Sequence, residues 1–190
     1  WDLCMTQRST TLYIVVCAAG AAPDVGTLVS LAQEEGWTVQ IIATPSAVTF
    51  IDSSALEKQT GRPVRSTHRK PGQPRSPKAG AVIVAPATFN TINKLAHGIA
   101  DNYALSVVNE AIGLGVPIVV LPFVNSASAA RLPFQRSVES LRDEGVAVLI
   151  GPGKFEPHPP GSGEKARAIF PWASALHALQ EILQKKSVTS

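Results

Sequence analysis

Polar side chains that suit an electron-rich ligand follow a short apolar run near the middle of the sequence. The run Ala81–Ala85 reads AVIVA, and directly after it come Thr88, Asn90 and Thr91, at the start of a helical stretch. The N-terminus of a helix presents unpaired backbone N–H groups and a positive partial charge. These hydroxyl and amide groups therefore predict a site that stabilises negative charge on a bound group. The same side chains also suit helix capping, and this alternative stays open.

Two further loops carry groups suited to a phosphate. The small residues Ala18, Ala19 and Gly20 separate an apolar strand from a helix, and they let backbone N–H groups approach a phosphate at the helix N-terminus. Thr44 and Ser46 follow the second predicted strand and add hydroxyl donors. There is no G-x-G-x-x-G fingerprint and no Walker-type lysine, so this is neither a dinucleotide nor a P-loop motif. Close helix–strand packing explains the small residues equally well, and capping explains the hydroxyls.

Predicted strands and helices alternate along the chain and place these loops. The strands are Thr11–Cys17, Thr38–Ala43, Ala81–Ala85, Pro117–Leu121 and Val146–Ile150. The helices run from Pro23 to Gly36, Asn90 to Ala96, Asp101 to Leu114, Pro133 to Glu144 and Pro171 to Lys185, with Asp101 as a candidate cap. Apolar strands that alternate with helices indicate a parallel sheet covered on both faces. We predict a doubly wound, Rossmann-like (flavodoxin-like) α/β domain of three layers, with ligands at the carboxyl ends of the strands.

Length and composition favour one globular domain over residues 1–190. Of the 190 residues, 45% are apolar and 16% are charged, which excludes a disordered chain. No apolar run approaches the roughly 18 residues that cross a bilayer, and we see no secretory signal. Cys4 and Cys17 are too few for a disulfide framework or a four-thiolate metal site, and we predict no metal. We expect a cytoplasmic protein without a membrane partner.

Positive charge is concentrated in one loop. Between Lys58 and Ala100 the sequence has 8 Lys or Arg and no Asp or Glu, although the net charge is only +3. Most of these bases lie in residues 59–80, where prolines and glycines rule out a continuous helix or central strand. The loop fits an anion-binding lid, a partner-docking loop or a solvated insertion. Because it has no aromatic residue to stack on bases, we do not expect nucleic-acid binding. A second loop, rich in Gly and Pro, is predicted over residues 151–168.

The segment from Ala85 to Asn102 resembles the PASANT motif of the FMN-dependent cysteine decarboxylases. It reads APATFNTINKLAHGIADN, and the family wording is close to P-A-S-A-N-T-I-x-K-I-A-x-G-I-x-D-N. The spacing from the first strand to Thr44 is also similar to that of the family, as are P-x-x-N over residues 122–125 and P-x-Q-R over residues 133–136. This family includes phosphopantothenoylcysteine decarboxylases and epidermin-type peptidyl-cysteine decarboxylases. The resemblance extends over about Leu12 to Ile150.

The resemblance implies FMN as cofactor and oxidative decarboxylation of a cysteine-containing or related carboxylic substrate, either a small molecule or a peptide. In such a reaction the flavin oxidises the cysteine side chain and CO2 is lost. The residues implied to bind FMN are Ala18, Ala19, Gly20, Thr44, Ser46, Ala87, Thr88, Asn90 and Thr91. Family members form homo-oligomers, often trimers or multiples of them, with flavin at a subunit boundary. Phe123 and Phe155, both in predicted loops, are compatible with such a boundary.

Three departures from the family pattern affect the catalytic residues. The family histidine falls at Gly72 here, and the nearest imidazole, the candidate His68, lies four residues earlier. Asn125 is kept and is the candidate that binds a substrate carboxylate or carbonyl. The Met-Trp pair of the substrate clamp is replaced by Ser128 and Ala129. No cysteine follows position 17, so we expect the flavin to finish reduced and to need an external oxidant.

These departures leave two other functions open. The first is an FMN-binding protein without decarboxylase activity, which acts as a regulatory or partner subunit. The second is an activity like that of flavin prenyltransferases, since prenyl transfer onto flavin occurs among relatives of this fold. The remaining histidines, His97, His158 and His177, have no partner pattern, and we interpret them as structural.

Overall fold

The predicted apolar runs become one parallel sheet in a computed structural model that describes residues 10–188. The strands are β1 (Thr11–Val16), β2 (Thr38–Ala43), β3 (Ala81–Ala87), β4 (Ile118–Pro122) and β5 (Ala147–Val148). Their order, β2-β1-β3-β4-β5, is that of flavodoxin-like folds. All residues of β1, β3 and β4 are buried, because helices cover both faces of the sheet. The predicted doubly wound, three-layer α/β fold is therefore confirmed.

Two groups of helices flank the sheet. The helices are α1 (Gly26–Glu34), α2 (Ser53–Thr60), α3 (Phe89–Ala96), α4 (Tyr103–Gly113), α5 (Ser126–Ala129), α6 (Leu132–Asp143), α7 (Gly163–Ala168) and α8 (Trp172–Val188). Helices α1 and α8 are neighbours, and α3 packs against both α4 and α6. Each of these five helices presents an apolar stripe to the core, such as Leu28, Val29 and Ala32 of α1. Among the described residues, no helix is both long and apolar enough to span a bilayer.

The carboxyl ends of three strands are held together. From β1 the chain continues to β2 on one side, and from β2 it crosses back to β3 on the other side of β1. Strands β1 and β3 therefore flank the point where the strand order reverses. The Cys17 N–H donates to the Pro86 carbonyl at 3.1 Å, and the Thr44 N–H donates to the Val16 carbonyl at 2.9 Å. The loops that follow β1, β2 and β3 therefore start from fixed neighbouring positions.

Several predicted boundaries differ from the structure. The first helix does not begin at Pro23, which instead lies in a 3-10 turn (Ala22–Asp24), and α1 starts at Gly26. The Asp101 cap is wrong, because Asn102 caps α4 and its side-chain oxygen accepts from the Leu105 N–H at 2.9 Å. Strand β5 is also shorter than predicted, with two residues in place of five.

The two predicted loops contain helical residues. Helix α2 was not predicted, and since it ends at Thr60 the basic loop comprises residues 61–80 rather than 59–80. That loop has one β-bridge, from Arg65 to Ile42, and otherwise no helix or strand. The segment 151–168 contains α7, which the Gly and Pro content of its first half obscures.

Candidate flavin site

A cavity of about 380 Å³ opens where β1, β2 and β3 end. Six of the nine residues implied to bind FMN line it: Ala18, Thr44, Ser46, Thr88, Asn90 and Thr91. They come from three loops that are far apart in sequence and are brought together by the parallel sheet. The cavity lies beside the β1/β3 switch point, where ligands bind in sheets of this kind.

The first turn of α3 forms one wall through a network of hydroxyl groups. Thr88 is the N-cap, and its Oγ1 accepts from the Thr91 N–H at 3.2 Å and donates to Thr91 Oγ1 at 3.0 Å. The Cys17 thiol donates to the same Thr91 oxygen at 3.4 Å. Capping is thus a real function of Thr88, and the two hydroxyls are already engaged within the chain. Burial raises the pKa of Cys17, so the thiol stays protonated, as expected for an inert core cysteine.

Several donors of the cavity are left for a ligand. Among the described residues, the side chains of Ser46 and Asn90 make no hydrogen bond, and both residues are exposed. In the first loop the Ala19 and Ala22 N–H groups bond to loop carbonyls, whereas the Ala18 amide is not used in this way. The first N–H groups of α3 are also free of helical partners. The cavity therefore offers hydroxyl, amide and backbone donors without buried carboxylates.

Three other implied cofactor residues do not line the cavity. The side chains of Ala19 and Ala87 are buried, and the Ala87 carbonyl accepts from the Phe123 N–H at 2.8 Å. Gly20 is exposed, and a Cβ there would lie 3.2 Å from a ring atom of Phe123. Contacts of these three residues with a cofactor stay predictions, and they are restricted to the backbone.

Lys94 and Asp101 are cavity residues that sequence analysis did not single out. Lys94 follows Asn90 by one helical turn, so it shares a face of α3 with it. Its ammonium group forms an ion pair with the Asp101 carboxylate at 2.5 Å, and both residues line the cavity together with Asn102. The family wording already contained this K, D and N, which was the available signal.

This set of groups fits FMN. A phosphate needs several N–H and O–H donors beside a helix N-terminus, and Ala18, Thr44 and Ser46 supply them next to the turn that leads into α1. The edge of a flavin ring needs amide donors and acceptors, and Asn90 and the start of α3 supply those. Among the described residues no His, Cys, Asp or Glu cluster is suited to a metal ion.

Asn125 lies at the end of β4, outside this cavity and beside a cluster of rings. Its Oδ1 accepts from the Ser128 N–H at 2.9 Å, so it caps α5. The next residue, Ser126, donates its N–H to the His158 carbonyl at 2.8 Å. The predicted clamp residue and His158 are therefore backbone neighbours, although they are 33 positions apart.

His158 occupies a half-buried position in the ring cluster. Its ring lies 4.8 Å from that of Phe123, which also packs against Phe155 and Phe170. Its Nδ1 is buried without a hydrogen-bond partner among the described residues, and burial lowers the pKa of the imidazole. Phe123 and Phe155 thus pack against each other within the chain, and a contact of either with a second subunit stays a prediction.

His68 lies elsewhere. It is exposed in the basic loop, and its ring forms a T-shaped pair with that of Tyr103 at a centroid distance of 5.2 Å. It lines a separate cavity with Tyr13, so within one chain it does not join the residues around Ser46 and Asn90. His97 and His177 are both exposed; His97 bonds to a backbone carbonyl of its own helix, and His177 pairs with Glu181 one turn later.

Comparison with known proteins identifies a family and several similar proteins. The Flavoprotein family model matches residues 4–169. The solved structure of TvaF, an FMN-dependent cysteine decarboxylase from thioviridamide biosynthesis, is 26% identical with a TM-score of 0.68, and the match covers 90% of this chain and 98% of that one. The coenzyme A biosynthesis bifunctional protein CoaBC of Thermococcus kodakarensis is 32% identical over 130 residues, which are 64% of this chain and 32% of that protein. A probable phosphopantothenoylcysteine decarboxylase of Streptococcus mutans is 34% identical over 98 residues, 48% of this chain and 54% of that protein. The chain thus spans about a third to a half of the length of these two curated relatives.

Proposed function

This chain belongs to the Flavoprotein family, and we propose that it is an FMN-dependent oxidative decarboxylase of a cysteine-containing or related carboxylic substrate. The observation that carries the proposal is the convergence of Ala18, Ser46 and Asn90 on one cavity at the ends of three strands. The similarity to an FMN-dependent cysteine decarboxylase over 90% of this chain supports it further. Because fold alone does not fix function, the geometry of these donors carries more of the argument than the fold does.

The residues of the cavity divide into two groups. Thr44 and Ser46, with the backbone of the first loop, would hold the phosphate of FMN. Thr88 and Asn90, at the start of α3, would hold the ring, where the positive end of the helix favours negative charge. When bound, FMN supplies the two-electron oxidation of the substrate. Lys94 lies on the same wall as a further positive charge.

Asn125 is the residue we assign to the substrate. Because its Oδ1 is engaged by the Ser128 N–H, its amide N–H groups remain to donate to a substrate carboxylate or carbonyl. The bond from Ser126 to the His158 carbonyl fixes the backbone beside it. Ser128 and Ala129 in place of a bulky pair leave room over Asn125, which favours a substrate larger or more polar than that of the family clamp.

A second candidate is an FMN-binding protein without decarboxylase activity. The separation of His68 from the cavity favours it, because a general acid or base must come within hydrogen-bond distance of the proton that it transfers. The replacement of the clamp pair by Ser128 and Ala129 also favours this candidate.

One pair of measurements separates these candidates. Reconstitution with FMN is followed by the absorbance of the bound flavin, and both candidates require it. The loaded protein is then incubated with peptides that end in Cys, and matched peptides that end in Ser are the control. A mass loss of about 46 Da, equal to CO2 plus two hydrogens, from the Cys peptides alone supports the decarboxylase. Bound flavin with no mass change across varied peptides and small thiol acids supports the binding protein.

The wider assignments extend the expectations from the sequence. We propose a homo-oligomer, a trimer or a multiple of it, that acts in the cytoplasm on a small molecule or peptide and has no nucleic-acid partner. Light scattering of the purified protein tests the assembly.

A further inference from the structure

We propose that the basic loop and α4 form a second binding site, for a small organic anion with an apolar body. A cavity of about 360 Å³ lies between them and is separate from the flavin cavity. Its basic lining residues are Arg65, Arg69, Arg75 and Lys78. The proposal does not depend on the proposed decarboxylase activity.

The guanidinium groups of this basic cavity lack carboxylate partners. Within residues 10–188, none of Arg65, Arg69 and Arg75 forms an ion pair, and Glu110 is the one acidic residue among those lining the cavity. Arg65 Nε is buried and has no hydrogen-bond partner there. A buried N–H donor on a cation costs free energy until an acceptor binds it, so the arrangement favours an anion.

The loop that carries these charges is tied to the sheet at several points. The Arg65 N–H donates to the Ile41 carbonyl at 3.1 Å, and the Arg65 carbonyl accepts from the Ala43 N–H at 2.8 Å. At the other end, the Tyr13 hydroxyl donates to the Pro77 carbonyl. Burial raises the pKa of Tyr13, which keeps the phenol in its donating form. The backbone at both ends of the loop is therefore fixed beside the cavity in the free protein, which lowers the entropy cost of binding.

The opposite wall is apolar apart from Glu110. Helix α4 contributes Tyr103 and Val107, and Leu114 at its end is 65% exposed. Inorganic phosphate would leave this wall in contact with water. An aryl or acyl chain would cover it while the charged group meets the arginines. The site therefore selects a phosphate monoester or a carboxylate with an apolar body, of about the size of phenyl phosphate.

Calorimetric titration of the FMN-saturated protein with phenyl phosphate tests the site. We expect phenyl phosphate to bind saturably at one site, at least tenfold more tightly than inorganic phosphate, which lacks the apolar body. Benzyl alcohol, which lacks the charge, should bind more weakly still. Equal affinity for all three probes, or no saturation up to about 10 mM, overturns the proposal. Tight binding of a single-stranded oligonucleotide that displaces phenyl phosphate also overturns it, in favour of a polyanion surface.

Three variants locate the site. The double variant Arg69→Gln/Arg75→Gln changes two exposed loop residues, so we expect it to fold, and it should weaken phenyl phosphate binding about tenfold or more. Leu114→Asn should weaken phenyl phosphate but leave inorganic phosphate unchanged. Arg136→Gln removes an exposed cation of α6 outside the cavity and should change neither. Unchanged binding in the double variant, or an equal loss in Arg136→Gln, contradicts the assignment.

Discussion

Thr88 combines a structural role with a place in the cofactor cavity. Its hydroxyl caps α3 and bonds to Thr91, and the residue lines the cavity. We predict that Thr88→Ala lowers the free energy of unfolding by about 1 kcal/mol, because the cap is lost. The affinity for FMN should fall about tenfold as the start of α3 loosens. Urea unfolding and a fluorescence titration with FMN measure the two effects.

Thr88→Ser is the matched control for this prediction. It keeps the capping oxygen, so both the unfolding free energy and the FMN affinity should stay near those of the parent protein. If Thr88→Ala loses stability yet binds FMN as the parent does, the hydroxyl is a cap and nothing more.

The partial burial of His158 should make the stability of the chain depend on pH. Burial lowers its pKa in the folded chain, so on acidification the unfolded chain takes up the proton first. Stability should therefore decrease as the pH falls below about 6.5, the ordinary pKa of histidine. The thermal midpoint of the parent protein should fall between pH 8 and pH 5. We predict that this fall is smaller in His158→Gln, by roughly 2–4 °C.

His177→Gln is the comparison for His158, since His177 is exposed and its ring pairs with Glu181 one turn away. Its midpoint should follow that of the parent protein closely from pH 8 to pH 5. Parallel curves for the parent and His158→Gln would mean that the imidazole remains accessible to protons in the folded state.

The sequence predicted residues of the cavity that directly follow a strand, but it did not predict contacts between loops that are distant in sequence. Thr88 and Asn90 were visible because they directly follow an apolar strand and begin a helix. Asn125 and His158 are backbone neighbours only through an isolated β-bridge between two loops, and no spacing in the chain encodes that contact. The sequence therefore did not distinguish His158 from an ordinary loop histidine.

Whether a helix or strand could be predicted depended on its apolar pattern. All five strands were predicted, because buried parallel strands are apolar on both faces. Helix α2 was missed because Leu56 is its one buried residue, which leaves no apolar stripe to detect. Its ends were readable, however: the Asp52 carboxylate accepts from the Ala55 N–H at 3.0 Å, and Gly61 takes a positive φ of 69°.

Helix α7 docks onto the first loop through one bidentate ion pair. Arg167 Nε and Nη2 donate to the two oxygens of Asp24 at 2.6 and 2.8 Å, and this contact lowers the pKa of Asp24. We predict that Asp24→Asn lowers the thermal midpoint by only about 1–2 °C at pH 7, because the pair is solvent-exposed and screened. A folded pKa below the unfolded value gives stability at higher pH. The effect should therefore diminish once the pH falls below about 3.9, the ordinary pKa of Asp, and vanish below the lowered pKa of the folded chain.

The Arg167→Gln variant completes this test as a double-mutant cycle. If the pair is the link, each single variant and the double variant should have the same midpoint at pH 7, and the difference should shrink in 1 M salt. Additive losses would mean that Asp24 and Arg167 stabilise the chain through separate contacts.

For the chain as a whole, exposed apolar residues flank the flavin cavity. Val48 and Phe50, just after Ser46, are 39% and 43% exposed, and Ile99, between Lys94 and Asp101, is 43% exposed. Because Ser46, Lys94 and Asp101 line the cavity, these three apolar residues belong to segments that border it. Exposed apolar side chains that gather beside a ligand cavity are a common feature of interaction surfaces.

We therefore predict that this rim contributes to the proposed homo-oligomer. The double variant Val48→Ser/Phe50→Ser should lower the molar mass measured by light scattering at about 10 μM, because the buried apolar area that offsets the entropy of association is reduced. FMN affinity should fall with it if a second subunit covers the flavin. Ile169→Ser is the control: the parent residue is 81% exposed at the end of α7, outside the flavin cavity, and its replacement should leave the mass unchanged. A monomeric parent protein would refute the assembly itself, whereas an oligomer that survives the double variant would place the contact on another surface.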